Sequence, residues 1–210
     1  MLPLKGAAAA APYPRASGLP ARYLQIHRTY IGVEVSEGLM LIDQHALHER
    51  VLYQRLRQSL GAGRLERQRF LVPHVVELDR ARVTAIEDAQ ELIDRLGVEL
   101  RAVGERAVAL SAAPVILSPL RPQALVDAIV SRLLDERPEG RDDDFLDRTL
   151  FTMACHRAVR AGDELRHDEI EALLRSADLE QHTHTCPHGR PTRIVVTLAE
   201  LENLFKRRGF

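Results

Sequence analysis

Gly38-Leu39-Met40-Leu41-Ile42-Asp43-Gln44-His45-Ala46-Leu47-His48-Glu49 is the stretch on which the fold reading turns. Its first five residues are continuously apolar, as expected of a strand buried on both faces, and from His45 to about Leu60 apolar residues recur at helical spacing. His45 and Glu49, four apart, point the same way on that helix. Asp43 falls at or beside the N-cap, where unpaired amides and the helix dipole favour a carboxylate. An acid, an imidazole and a second acid at a strand-to-helix junction suit a divalent cation. The competing reading is an ordinary N-cap followed by solvated helix charges.

Working outward, His182-Thr183-His184-Thr185-Cys186-Pro187-His188-Gly189-Arg190-Pro191 packs three histidines and one of only two cysteines into a turn-prone segment. Imidazole and thiolate suit zinc-like ions, and an added carboxylate makes a site compatible with catalysis. Cys155 lies in a helical-looking stretch after Asp142-Asp143-Asp144, where a lone cysteine also reads as a small buried apolar residue.

Together these segments resemble the C-terminal domain of the MutL family of DNA mismatch repair proteins, in the members that carry a latent endonuclease. The family's acidic motif is met by Asp43, Gln44, His45, Ala46 and Glu49, with Gln54 where the pattern ends on glutamate. Further family motifs appear as Ala154-Cys155-His156, as Cys186-Pro187-His188-Gly189-Arg190-Pro191 and as Phe205-Lys206-Arg207. The resemblance spans Arg22 to Phe210. It implies that Asp43, His45, Glu49, Cys155, Cys186 and His188 hold metal, with Asp43, His45 and Glu49 the catalytic group and Arg190, Phe205 and Arg207 accessory. Zinc would be structural or regulatory and manganese or magnesium catalytic; six candidate ligands exceed one tetrahedral shell. His182 and His184 stay open between a supporting role and exposed loop residues. A Cys-His hydrolase using Cys155 or Cys186 as nucleophile needs an oriented catalytic base and lacks a matching family pattern.

Gln68-Arg69-Phe70-Leu71-Val72-Pro73 looks like the family's docking motif for the replicative sliding clamp, residues 68 and 70–73 being the contacts. A glutamine amide can bond to backbone in a groove, the apolar residues supply burial, and Pro73 limits the entropy lost on ordering. A plain buried strand is the other reading. The resemblance also implies a homodimer, a mismatch-recognition partner of the MutS kind, and ATP only through an N-terminal ATPase absent from this sequence, so that the chain reads as an excised C-terminal fragment. The class alternative is a non-catalytic dimerisation and partner-docking module with a structural or regulatory zinc, for which Gln54 speaks.

Composition bounds the rest. The 210 residues, 45% hydrophobic, suffice for one domain or two small lobes. A formal net charge of -1 does not suggest a free-standing DNA binder, so intrinsic affinity for double-stranded DNA is expected to be weak. Two cysteines, with no signal peptide and no long apolar segment, lead us to expect a reducing, cytoplasmic setting. Residues 1–20, rich in alanine and proline, read as a flexible linker.

Pattern predicts a long strand over Tyr23–Ser36 turning at Ser36-Glu37-Gly38, a strand over Phe70–Leu78, a helix over Arg80–Leu96 stopped by Gly97, and two short strands around Gly104. Helices follow from Pro122 to about Asp135, around Cys155, and from Asp168 to Arg175. A strand over Arg193–Thr197 then leads into a helix capped by Thr197 with Glu200. This is an α+β order without βαβα alternation. The resemblance implies two lobes: residues 21–72 with 155–210 form a dimerisation lobe bearing the metal site, and 73–154 form an inserted outer regulatory lobe.

Overall fold

A computed structural model describes residues 22–63, 65–119, 121–135, 142–159, 162–179, 185–186 and 190–207. The expected linker therefore lies outside the described residues, as do His182, His184 and His188. The elements run β1 (Tyr23–Ile26), β2 (Tyr30–Val35), β3 (Gly38–Asp43), α1 (Gln44–Gly61), β4 (Arg67–Glu77), α2 (Arg80–Asp88), α3 (Gln90–Arg95), β5 (Glu99–Ala102), β6 (Ala107–Pro114), α4 (Pro122–Asp135), α5 (Asp142–Arg157), α6 (His167–Leu179), β7 (Arg193–Thr197) and α7 (Leu198–Leu204). The chain divides into two compact units, residues 1–51 with 159–210, and residues 52–158.

The first unit is a four-stranded antiparallel sheet in the order β1-β2-β3-β7. Side chains alternate across a strand, so Ile31, Val33, Met40 and Ile42 fall on one face, where they pack with Leu47 and Val51 of α1 and Ile170, Leu173 and Leu174 of α6. Each such fully buried aliphatic side chain contributes about 1.5–3 kcal/mol. Gly38 sits at φ +146, and a Cβ there would run into the Val196 carbonyl of the neighbouring strand. That close approach brings the C-terminal strand against β3.

Two sequence expectations change here. Tyr23–Ser36 is a hairpin, because His27 and Arg28 adopt positive φ (50 and 51) and the Thr29 amide closes onto the Ile26 carbonyl at 3.1 Å. Nor is β3 buried on both faces: Met40 and Ile42 are buried, while Leu39 and Leu41 are only half-buried.

In the second unit β4-β6-β5 form an antiparallel sheet. Its core joins Leu52 and Leu56 of α1 to Ile86, Ile93, Leu110, Ile129 and Leu150. The helix expected over Arg80–Leu96 is broken at Ala89, where the Gln90 side chain donates to the Ile86 carbonyl at 2.8 Å and to Leu100 across the unit at 3.2 Å. Among the described residues no helix is long and apolar enough to cross a membrane.

Candidate functional site

The β3–α1 junction forms as its sequence requires. Asp43 Oδ1 accepts the His45 and Ala46 amides, both at 3.0 Å, which caps the helix, and the Asp43 amide donates to Thr192 at 2.9 Å. Among the described residues Oδ2 takes no hydrogen bond, and Asp43 borders a cavity of about 350 Å³ whose walls include Tyr30, Leu41 and Thr192.

One turn on, His45 Nδ1 stands 2.6 Å from the Val159 carbonyl, which can only accept, so Nδ1 carries the proton. In the neutral ring Nε2 is then a bare lone pair, and it points at Glu49 Oε1 from 3.2 Å. Glu49 is 5% exposed, and His45 is its only side-chain partner among the described residues. A bare imidazole nitrogen facing a buried carboxylate is an arrangement that a shared cation would satisfy. Donors about 2.1 Å from one cation lie roughly 3.0–3.4 Å apart at octahedral to tetrahedral angles, so the pair has the bite of a metal site.

Gln44, which the sequence offers only as a letter of the acidic motif, is fully buried and holds this corner together. Its Oε1 accepts from Gln25 at 2.7 Å, and its Nε2 donates to the Arg28 carbonyl at 2.8 Å and the Asp163 carbonyl at 3.1 Å. No local pattern announces such a role.

Cys186 belongs to the same unit, 3% exposed, in a loop closed by its own amide donating to Arg190 at 2.8 Å and by a Thr185–Pro191 bridge. The chain then enters β7, which places Arg193 opposite Ile42. His188 lies outside the described residues. Cys155, half-buried on α5, belongs to the other unit. Among the described residues no three histidine, cysteine or acidic side chains are grouped to hold a metal ion. Gln54 follows Glu49 by five residues, about 140° around the helix, so it is not on the His45–Glu49 face. Arg190 is exposed, Phe205 is 74% exposed after α7, and the Arg207 amide donates to Glu202 at 2.8 Å.

The Gln68–Pro73 segment departs from a plain buried strand. Arg69 and His74 are paired to β6 on either side of a register break, and residues 70–73 bulge out of the ladder. Leu71 is 102% exposed and Val72 72%, while Phe70 is half-buried against the core and stacks edge-on with His74 at 4.8 Å. The outer face of the first sheet is also open and apolar. Leu24, Ile26, Leu39, Leu41, Ile194 and Val196 alternate onto it around Gly32, and α7 beside it buries none of its residues.

The model of the family described as the MutL C-terminal dimerisation domain matches residues 23–165. The chain belongs to the MutL family. It is 38% identical over 190 residues to the DNA mismatch repair protein MutL of Methylocella silvestris, covering 90% of this chain and 31% of that protein. It is 37% identical to the MutL proteins of Rhodopseudomonas palustris and Caulobacter vibrioides, again over 90% of this chain and 32% and 30% of theirs. The chain thus spans about a third of the length of these curated MutL relatives.

Proposed function

We propose that this chain is the dimerising C-terminal part of a mismatch-repair MutL protein and a latent, metal-dependent nicking endonuclease. The single observation that carries the catalytic reading is the pairing of the partly exposed His45 with the buried Glu49, with Nδ1–H fixed on Val159 and Nε2 directed at the carboxylate 3.2 Å away. Asp43, His45 and Glu49 would hold the working ion, and the family motifs add Cys155, Cys186 and His188 as further donors. The nitrogen, oxygen and sulfur donors fit zinc, and the carboxylates fit manganese or magnesium. When bound, such an ion polarises a phosphate oxygen and lowers the pKa of water. The chain's own part is to keep Asp43 Oδ2 unengaged and to orient His45.

The open apolar sheet face suits a second copy of the chain: in water it carries an exposed hydrophobic patch, which a two-fold contact would cover. In this reading the unit with the four-stranded sheet dimerises, and the unit of residues 52–158, which begins before the expected insert at 73 and so includes the Gln68–Pro73 bulge, is regulatory and docks on the sliding clamp. Clamp and mismatch sensor would bring double-stranded DNA to a surface of near-zero net charge. ATP would act only through an ATPase segment of the kind the longer relatives have room for.

The second reading, a docking module with structural zinc and no cutting, draws on Asp43 Oδ1 being engaged as the helix cap and on Gln54 standing where the family motif ends on glutamate. Nicking of supercoiled plasmid with manganese and clamp, using the full-length protein and Asp43→Asn, decides between them. Nicking that disappears in the variant supports the nuclease, and equal background in both supports the module.

A further inference from the structure

Both backbone polar groups of Val159 are held by histidines of α1. The Val159 amide donates to His48 Nδ1 at 3.1 Å, and its carbonyl receives His45 Nδ1 at 2.6 Å. The two rings are therefore in opposite tautomers: an amide can only donate, so His48 Nδ1 is bare, whereas His45 Nδ1 is protonated. Val159 closes the segment after α5, and all three residues belong to the first unit.

We infer that His48 is a positioning residue: by gripping the Val159 amide it sets the carbonyl that fixes His45 with Nε2 bare and aimed at Glu49. Without that grip the carbonyl can turn away, and the His45 ring is free to move its proton to Nε2, the atom a cation would need. This rests on the metal reading for its consequence, but the tautomer is a property of the metal-free protein.

The test uses His48→Asn, whose Oδ1 stands where Nδ1 stood and can accept the amide, and His48→Gln, whose oxygen stands in the place of Nε2. Long-range proton–nitrogen NMR of the metal-free dimer reads the His45 tautomer, and visible absorption on titration with cobalt(II) reads affinity. Wild type and H48N are expected to hold His45 as Nδ1–H, whereas H48Q gives a mixture and binds cobalt about 10- to 100-fold more weakly, the usual loss when a supporting partner of a ligand is removed. Circular dichroism confirms that the variants fold. A His45 ring that keeps the Nδ1–H form in H48Q, with cobalt affinity unchanged, overturns the inference. A tautomer that follows residue 48 in protein taking up no cobalt at all supports the positioning of His45 and overturns the metal reading.

Discussion

Leu71→Ala separates folding from docking more sharply than any other single change. The Leu71 side chain is already as exposed as in an unfolded chain, at 102%, so its truncation removes nothing from the core and is expected to shift unfolding free energy by no more than about 0.5 kcal/mol. If the bulge is a peptide anchor, the same side chain is buried when the sliding clamp binds. Losing its outer three carbons, at about 0.8 kcal/mol per buried methylene, costs about 2.4 kcal/mol of affinity, or about 50-fold in Kd. The assay pairs urea unfolding of the free protein with surface plasmon resonance against immobilised clamp. An unchanged Kd refutes the docking role. A loss of about 2–5 kcal/mol in stability refutes the bulged geometry, because it is the signature of a buried leucine.

Gln44→Ala removes at least the three hydrogen bonds it makes among the described residues from a fully buried site, at about 1 kcal/mol each, and is expected to lower unfolding free energy by about 3 kcal/mol or more in denaturant titration, with little effect if Gln44 is only a motif letter. Leu24→Asp places a charge on the open sheet face. Counted twice across a two-fold interface, it should raise the dimer Kd by about 100-fold or more in sedimentation velocity while the monomer keeps its circular dichroism spectrum. Glu200 is held below its ordinary carboxyl pKa by the Thr197 amide and then the Thr197 hydroxyl. Because the folded value is depressed, this cap is fully present above the unfolded pKa and is lost as pH falls through the folded one. Amide protection in α7 should therefore fall at acid pH; Glu200→Gln should abolish that pH dependence, and Thr197→Ala, which removes the hydroxyl but keeps the amide, should only weaken it.

What could be read from the chain was what neighbours in sequence decide. The cap at the head of α1 and the Thr197–Glu200 box are local contests between a side chain and the first helical amides, and each formed as read, whereas the apolar run into Asp43 formed its strand but is buried on one face only. The hairpin inside Tyr23–Ser36 was hidden because His27 and Arg28, not glycine or asparagine, take the left-handed turn, and apolar alternation continues through it. The break at Ala89 depends on Gln90 reaching Leu100, and the grip on Val159 depends on residues more than a hundred positions away. The family motifs pointed to Asp43, His45 and Glu49, but only the fold supplied the direction of each nitrogen and the burial of Glu49.

The account stands most directly on whether a cation lies between His45 and Glu49. Diffraction from crystals of the protein at the zinc absorption edge measures this. The account predicts an anomalous peak within coordination distance, about 2.1 Å, of both His45 Nε2 and a Glu49 oxygen. Zinc-soaked crystals with no peak there, and His45 donating straight to Glu49, would contradict it.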